Sequence, residues 1–233
     1  SLVAGRRVSA IVTAPVNKAL IHGVDPSFIG HTEYYGAAFG VPEPTMTFVG
    51  PELLTALVTT HLALCDLPAA ITRERVRLHL GRLADWTRAT RGPGARIGVC
   101  GLNPHAGEAG AFGREEIDAI GPAVADLARE GWPVEGPFPA DSLYRQGLPG
   151  GRYAAILAMY HDQALVLFKT TDRNEGVNMT LGLPVVRTSP DHGTAYDIAG
   201  RQAADATSML AAIRLAQTAV AVRDGDGFSG LSG

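Results

Sequence analysis

Short apolar segments that lead to a histidine recur three times along this chain and constrain its fold more than any other feature. They are residues 53–59, 95–102 and 154–159, which lead to His61, His105 and His161. Short apolar runs bounded by turn residues are typical of strands buried in a sheet. Amphipathic segments lie between them, and strands that alternate with helices indicate an α/β fold with a largely parallel sheet.

Helices are predicted around these strands from apolar residues at helical spacing. Residues 72–90 form the longest such segment, with arginines on the opposite face that we expect to be solvated. The other predicted helices cover residues 34–39, 115–130 and 204–222, and a short one follows the turn at residues 136–143. Thr32 is the predicted cap of the first of these, and Asp141 or Ser142 that of the short helix.

Composition and charge narrow the class of protein. Of the 233 residues 46% are hydrophobic, which is enough to bury a sizeable core. The net charge is −3 and neither sign forms a long block, so no nucleic-acid partner is predicted. No apolar run approaches the roughly 18 residues of a membrane span and no leader pattern precedes Val8, so we expect no membrane partner. Cys65 and Cys100 lie far apart, which predicts buried thiols in a cytoplasmic protein.

The three histidines follow strands at equivalent points, and this position predicts a shared site. The carboxyl ends of the strands in an open α/β sheet border the crevice where ligands bind. Three imidazoles with an open fourth position are typical of a catalytic divalent metal such as zinc. Asp141 and Asp162 are candidates for carboxylates that orient the imidazoles. The alternative for each histidine is a structural hydrogen-bonded role, and for Asp141 it is a helix cap.

A second group of polar residues predicts an anion-binding site. Lys169, Asn178 and Arg187 offer an ammonium, an amide and a guanidinium fork, which suit a phosphate or a carboxylate. They lie among strand-like apolar pieces and turns, so we expect them to be buried; a solvated surface position is the alternative for lysine and arginine. No G-x-G-x-x-G follows a strand, so a Rossmann dinucleotide site is not predicted.

Seven short motifs follow one another in the order found in a known family. They are GHTE (30–33), TTHL (59–62), GLNPHAGE (101–108), PADSL (139–143), MYHDQ (159–163), GVNMTLGLP (176–184) and DHGTA (191–195). In these motifs the chain resembles the 4-hydroxythreonine-4-phosphate dehydrogenase (PdxA) family over nearly its whole length. The resemblance implies an isocitrate/isopropylmalate-dehydrogenase-like α/β fold, with a mostly parallel sheet flanked by helices.

The resemblance also implies an activity. Members of the family carry out an NAD-dependent oxidation of 4-phosphohydroxy-L-threonine, assisted by a divalent metal and followed by decarboxylation, in pyridoxal phosphate biosynthesis. The implied metal is zinc, magnesium or cobalt, and NADP is the alternative cofactor. The implied partners are this small phosphorylated substrate and a second copy of the chain. In the family the active site lies at a homodimer interface, with metal ligands shared between subunits.

Roles for single residues follow from the same resemblance. The implied metal ligands are His61, His105 and His161. The implied substrate contacts are His31, Thr32, Lys169, Asn178 and Arg187. The implied cofactor contacts are His192, Gly193, Thr194, Ala195 and Asp197, in a segment similar to the cofactor loop of the isopropylmalate dehydrogenases. Lys169 or a metal-bound water is the candidate for moving a proton, with a role only as an anion contact as the alternative for Lys169. Asp141 and Asp162 are the other candidate catalytic residues.

The chain departs from the family pattern at two places. It begins close to the Thr-Ala-Pro-Val-Asn-Lys loop at residues 13–18, without the family's N-terminal Met-Gly-Asp-Pro-like segment, so the first part of the cofactor-binding domain is expected to be missing. Residues 1–188 are then the substrate-binding, metal-binding and dimerisation domain, and residues 189–233 the C-terminal portion of the cofactor-binding domain. Residues 169–175 also lack the aromatic expected before Gly176, which leaves the substrate open.

Several other functions stay open at this point. Relatives that oxidise threonate or erythronate 4-phosphate, or an aromatic cis-dihydrodiol, share most of these motifs. A truncated, inactive metal-binding module is an alternative of a different class. A metal-dependent hydrolase built on the three histidines is another, and it would act on phosphate esters without NAD.

Overall fold

The computed structural model describes residues 8–172 and 175–225 and divides the chain into two compact units. The first unit is Ser1–Pro44 with Asn174–Gly233, and the second unit is Thr45–Arg173. This division falls at other residues than the boundary predicted at 188/189, and the assignment of substrate and cofactor roles to parts of the chain stays a prediction. None of the described helices is both long and apolar enough to cross a membrane.

Strands and helices alternate along the described chain. The strands are β1 (Ala10–Val12), β2 (Thr45–Val49), β3 (Leu54–Leu57), β4 (Ile97–Cys100), β5 (Val134–Phe138), β6 (Ala155–Ala158), β7 (Val177–Leu181) and β8 (Val186–Pro190). The α-helices are α1 (Lys18–His22), α2 (His31–Phe39), α3 (Leu67–Ala70), α4 (Arg73–Arg91), α5 (Gly121–Arg129), α6 (Ala140–Gly147), α7 (His161–Thr171) and α8 (Thr207–Asp224). A π-helical turn, Glu116–Ile120, leads into α5.

The second unit is built on a mostly parallel sheet. Its strand order is β2-β3-β6-β4-β5. The pairs β3–β6, β6–β4 and β4–β5 are parallel, and β2 pairs antiparallel with β3. This arrangement confirms the predicted α/β class and places the ends of β3, β6 and β4, the strands that lead to the three histidines, side by side.

Side chains of β6 alternate between two hydrophobic clusters of the second unit. Ala155 and Leu157 pack in the cluster that contains α4 and α5, and Ile156 and Ala158 pack in the cluster that contains α6 and α7. All four are 0% exposed. A strand covered on both faces reads as a continuous apolar run, and burial of each large side chain contributes roughly 1.5–3 kcal/mol. The same burial fixes the position at which β6 ends and His161 begins α7.

The first unit contains a small mixed sheet with β8 at its centre. β8 pairs parallel with β1 and antiparallel with β7. The C-terminal helix α8 packs against β8, where the Thr188 hydroxyl donates to the Ala212 carbonyl at 2.8 Å. The predicted closing helix over residues 204–222 is thus present as α8.

The apolar run after His161 forms the helix α7 and not the strand-like piece suggested by the sequence. Ala164, Leu165 and Phe168 are buried at helical spacing, whereas Val166 is 70% exposed. Lys169 lies in the last turn of α7 and is exposed, so the expectation that it is buried was wrong. A short apolar run does not distinguish a strand from a helix, and the i, i+4 spacing of the buried residues was the available signal.

Four local predictions were wrong for identifiable reasons. Cys65 lies in a short 3-10 turn at the surface and is exposed, whereas Cys100 is buried in β4 as predicted. α2 begins one residue before Thr32, which therefore lies inside the helix and does not cap it. α6 has Pro139 at its cap position, so neither Asp141 nor Ser142 is the cap. The predicted turn at residues 136–143 begins within β5, an edge strand, and edge strands tolerate the glycine and proline that indicated a turn.

Candidate metal centre and anion-binding residues

His61 and His161 lie together at the ends of neighbouring parallel strands in the second unit. β3 and β6 pair in register, and the contact continues past the strands because the Met159 carbonyl accepts from both the backbone N–H (3.1 Å) and the hydroxyl (2.7 Å) of Thr59. The ring centroids of His61 and His161 are 5.8 Å apart. The parallel register therefore brings two of the predicted metal ligands together.

The separation and environment of this pair fit a metal ion. A zinc ion bonded to one nitrogen of each ring at about 2.0–2.1 Å would put the two centroids roughly 5–6 Å apart. His161 Nδ1 lies 2.7 Å from Asp162 Oδ1. A carboxylate at one ring nitrogen fixes the orientation of the ring and leaves the other nitrogen for a metal. The pair thus offers two imidazole donors of the kind that divalent metals bind, and the role of either histidine as a metal ligand stays a prediction.

Among the described residues of a single chain, His105 does not complete a three-ligand site with His61 and His161. It begins a left-handed turn after β4, is exposed, and has its ring centroid 6.3 Å from that of Phe112. Within residues 8–172 and 175–225, no three His, Cys, Asp or Glu residues form a group that could hold a metal ion. One chain therefore brings together two of the three predicted imidazoles, and the ligand role of His105 stays a prediction.

Gln163 connects the ends of β6 and β4. Its Oε1 accepts from the Met159 backbone N–H at 2.7 Å, and its Nε2 donates to the Gly101 carbonyl at 2.8 Å. The half-buried amide thus joins the strand end before His161 to the strand end before His105. In the sequence Gln163 stands out only as part of the MYHDQ motif, because no local signal shows that its partner is 62 positions away.

The candidate anion-binding residues of the first unit share one face of the β7–β8 pair. Thr180 lies opposite Arg187 in the antiparallel register, and Asn178 is two residues from Thr180 on the same strand. Directly opposed residues and residues two apart point to the same face of a sheet. Asn178 is half-buried, and its Oδ1 has no hydrogen-bond partner in the described part of the chain.

Arg187 is buried with its hydrogen-bonding capacity only partly used. The side chain is 2% exposed, and its two terminal nitrogens donate to the hydroxyls of Thr180 (3.3 Å) and Thr13 (2.7 Å). Its Nε has no partner among the described residues. Burial lowers the pKa of Arg187 to about 10, and the charges of Tyr35 and Glu33 oppose this shift. A buried cation with a spare N–H fits an anionic ligand.

His31 and Thr32 form the first turn of α2 in the same unit. The His31 ring stacks on Tyr35 at a centroid distance of 6.3 Å and meets Phe28 edge-on at 5.8 Å. Burial, followed by the positive charges of Arg187 and Lys18, lowers the pKa of His31, which favours a neutral imidazole. Thr32 is buried at 4% exposure. The roles of both residues as substrate contacts stay predictions.

The remaining candidates occupy exposed positions. Lys169 lies in the last turn of α7, and Asp141 in the first turn of α6. Most of the predicted cofactor segment is exposed: His192 Nδ1 is 2.8 Å from the Gly193 carbonyl, and Ala195 has a left-handed φ of 50° before a single 3-10 turn that contains Asp197. Thr194 is half-buried. Exposure leaves each of them accessible to a ligand, and their roles stay predictions.

The burial of one polar residue was not predicted from the sequence. His79 was counted among the residues of an amphipathic helix, yet it is 3% exposed and its Nδ1 lies 2.8 Å from Thr45 Oγ1. Burial lowers the pKa of His79 to about 3, and the charges of Arg82 and Arg75 act in the same direction. Its helical spacing from apolar neighbours was the signal that it faces the core.

Comparison with solved structures identifies the fold class of this chain. Isocitrate dehydrogenase from Methylococcus capsulatus matches with a TM-score of 0.56 at 13% identity, over 97% of this chain and 71% of that one. At that identity the likeness concerns the fold alone. The chain therefore has the isocitrate-dehydrogenase-like α/β fold that was predicted.

The sequence then identifies the family. The family model described as pyridoxal phosphate biosynthetic protein PdxA matches residues 1–216. The 4-hydroxythreonine-4-phosphate dehydrogenase of Aromatoleum aromaticum is 49% identical over 218 residues, which are 92% of this chain and 66% of the relative. The chain belongs to the PdxA family, as its motifs predicted. It spans about two thirds of the length of the curated relatives it matches.

Two other solved structures are similar in both sequence and fold. The 4-hydroxythreonine-4-phosphate dehydrogenase of Klebsiella pneumoniae has a TM-score of 0.81 at 38% identity, over 94% of this chain and 67% of that one. A terephthalate 1,2-cis-dihydrodiol dehydrogenase from Burkholderia xenovorans has a TM-score of 0.72 at 28% identity, over 94% of this chain and 69% of that one. The relatives are named dehydrogenases, which confirms the predicted oxidoreductase family.

Proposed function

We propose that this chain supplies the metal-binding and substrate-binding residues of an NAD-dependent dehydrogenase. The reaction is oxidation of 4-phosphohydroxy-L-threonine with decarboxylation, in pyridoxal phosphate biosynthesis. The observation that carries the proposal is the His61–His161 pair, 5.8 Å apart and oriented by Asp162, in a chain of the PdxA family. The unpaired thiols Cys65 and Cys100 support a cytoplasmic location, where thiols are kept reduced.

The metal would be held by His61, His105 and His161. One chain groups only two of these, which supports a homodimer in which ligands from two subunits complete the site. A divalent metal such as zinc, magnesium or cobalt supplies a Lewis acid that lowers the pKa of a bound hydroxyl. Asp162 holds the His161 ring in place, and Asp141 is the proposed second orienting carboxylate.

The substrate's anionic groups would be bound by residues of the first unit. Arg187 offers a buried charge, and neither its Nε nor the Asn178 amide oxygen has a hydrogen-bond partner among the described residues. His31 and Thr32 are the other proposed contacts, and a neutral His31 can donate one hydrogen bond and accept another. Charge-assisted hydrogen bonds from a guanidinium to phosphate or carboxylate are the strong ones, so Arg187 is expected to contribute most to substrate affinity.

Proton transfer and cofactor binding are assigned to the exposed positions. Lys169 is the proposed proton-transfer group, and an exposed lysine in the last turn of a helix can also serve as an anion contact. Residues His192 to Ala195 and Asp197 would hold the cofactor, NAD or alternatively NADP, which accepts the hydride when bound.

Formation of NADH tests this proposal directly. The protein with a divalent metal is expected to reduce NAD in the presence of 4-phosphohydroxy-L-threonine, and a chelator is expected to abolish the reaction. Metal and NAD binding are measured on the same sample. Metal binding without NAD binding or turnover would favour an inactive metal-binding module, and release of inorganic phosphate without NAD would favour a hydrolase.

The Burkholderia xenovorans likeness favours a second candidate, a dehydrogenase of aromatic cis-dihydrodiols. Both substrates present a secondary alcohol to a metal, but only one carries a phosphate. We expect Arg187→Met to raise KM about 100-fold for the phosphorylated substrate, since a buried charged contact is lost. Turnover of a dihydrodiol and none of the phosphorylated amino acid would overturn the first candidate in favour of the second.

A further inference from the structure

The turn after β4 has a backbone conformation that must be held by its surroundings. Five consecutive residues, from His105 to Ala109, have positive φ angles between 42° and 78°. Only Gly107 among them is a glycine. The other four adopt a region that L-residues avoid, and such strained positions persist only where neighbouring groups over-determine them.

The group that holds the entrance to this turn is the carboxylate of Glu116. One oxygen accepts from the backbone N–H groups of Leu102 (2.7 Å) and Asn103 (2.8 Å), and the other accepts from the Asn103 side-chain amide (2.9 Å). Glu116 is 5% exposed. A buried carboxylate is unfavourable unless it is hydrogen-bonded, and these three donors all belong to the two residues that enter the turn.

The turn also packs directly around this carboxylate. A Cβ atom at Gly101 would lie 2.9 Å from Glu116 Oε1, and a Cβ atom at Gly107 would lie 2.6 Å from Glu116 Oε2. Both distances are shorter than ordinary contacts, so the backbone approaches Glu116 as closely as glycine allows. The carboxylate therefore contacts the turn at its entrance and at its centre.

We propose that Glu116 is a positioning residue that holds the left-handed turn and thereby presents His105 to the metal. The proposal rests on the proposed function, because it takes His105 as a metal ligand. Glu116 acts through the segment that enters the turn, since among the described residues its hydrogen bonds come from Leu102 and Asn103 and from no imidazole. The hydrogen bonds of Glu116 therefore hold the turn without involving the His105 ring.

The Glu116→Gln variant tests the proposal. It keeps the size of the side chain but places an amide N–H₂ or a weaker acceptor where two oxygens accepted three hydrogen bonds. The affinity of the protein for zinc, measured by competition with a chromophoric chelator, is expected to fall about 10- to 100-fold, as for other groups that orient metal ligands. An affinity within about twofold of wild type would overturn the proposal.

A matched control separates positioning from general destabilisation. Asp118 lies on the same π-helical turn but is exposed and pairs with Arg114 at 2.9 Å. Asp118→Asn is therefore expected to leave zinc affinity within about twofold, because exposed ion pairs contribute little. Thermal unfolding of the metal-free variants, measured alongside, identifies any loss that comes from the fold alone.

The His105→Ala variant distinguishes failure of this inference from failure of the proposed function. Unchanged zinc affinity in His105→Ala overturns both the ligand assignment and the positioning role. Loss of zinc affinity in His105→Ala together with wild-type affinity in Glu116→Gln overturns only the positioning role. Loss in both variants supports the two proposals together.

A second-site change tests whether the conformation of the turn limits metal binding. Ala109 is exposed and has a φ of 54°. Glycine adopts this conformation without strain, so Ala109→Gly in the Glu116→Gln background is expected to recover about three- to fivefold in zinc affinity. No recovery would contradict the view that the turn conformation limits metal binding.

Hydrogen exchange of the unmodified protein tests the proposal even if Glu116→Gln does not fold. The amides of Leu102 and Asn103 are expected to exchange at least about tenfold more slowly than unstructured chain in the metal-free protein. Exchange at the unstructured rate would show that Glu116 does not hold the turn, and would overturn the proposal.

Discussion

Two loops that carry predicted functional residues differ in how they are held. Residues 101–113 wrap around a buried carboxylate, and the Gly101 carbonyl is bonded to Gln163, 62 positions along the chain. Residues 191–206 are mostly exposed, and the hydrogen bonds between their backbone groups, such as that from the Ile198 N–H to the Ala195 carbonyl at 3.2 Å, join residues close in sequence. Residues 101–113 are therefore held by buried groups that are distant in sequence, and residues 191–206 by local turns.

The difference matches what each loop is expected to bind. A metal site needs its ligands held in a narrow geometry before the ion arrives. A cofactor loop exchanges its ligand at every turnover, and segments that order on binding come from the least stable part of a structure. On the proposed assignment of roles, the turn at His105 is expected to be preorganised, and residues 191–206 are expected to gain order when NAD binds.

The largest expected effect comes from removing an imidazole of the preorganised site. His161→Ala should lower zinc affinity about 100-fold or more, whereas Asp162→Asn should lower it about tenfold, because the ring keeps its donor and loses only its orientation. Isothermal titration with zinc measures both. Equal losses in the two variants would contradict the division between ligand and orienting carboxylate.

Matched glycine substitutions compare the two loops directly. Gly107 has a φ of 78° and its substituted Cβ would meet Glu116, so Gly107→Ala should lower the free energy of unfolding by about 2–3 kcal/mol. Gly193 has an ordinary φ and nothing within 4 Å of a Cβ, so Gly193→Ala should change it by less than about 0.5 kcal/mol. Urea unfolding of both variants gives the values. Similar losses in the free energy of unfolding for the two variants would contradict the proposed difference between the loops.

Lowering the pH tests another buried polar contact of the second unit, the one between His79 and Thr45. The pKa of His79 is lowered from its ordinary value of 6.5 to about 3, so the folded protein disfavours its protonation. The stabilisation is fully present above pH 6.5 and is lost as pH falls toward 3, by about 2 kcal/mol between pH 7 and pH 5. Unfolding at the two pH values measures this. His79→Gln should show a correspondingly smaller pH dependence, and an unchanged slope would exclude His79 as the cause.

The smallest expected effect concerns the exposed loop. Saturating NAD should slow amide exchange in residues 191–206 about tenfold and leave residues 101–113 within about twofold, because only the first segment orders on binding. Hydrogen-exchange mass spectrometry resolves both segments in one experiment. Equal protection of the two would show that the cofactor loop is not distinct in this respect.

The helices and strands were easier to predict from the sequence than the contacts between them. The amphipathic pattern of residues 72–90 and the apolar run before His161 predicted α4 and β6, because periodicity and burial are local properties. The apolar run before Lys169 led to the wrong prediction of a strand, since five apolar residues are compatible with either a strand or a helix. β5 was missed because Gly136 and Pro137 signal a turn, although an edge strand accepts both.

The sequence by itself determined the α/β class, the family, and the histidines that follow the strands. Only the tertiary structure decided that His61 approaches His161, that Glu116 holds the turn of His105, and that Arg187 is buried with an Nε that has no partner within residues 8–172 and 175–225. The physical reason is that the periodicity of side chains is determined within a few residues. Strand register and helix packing, in contrast, set the distances between residues far apart in the chain.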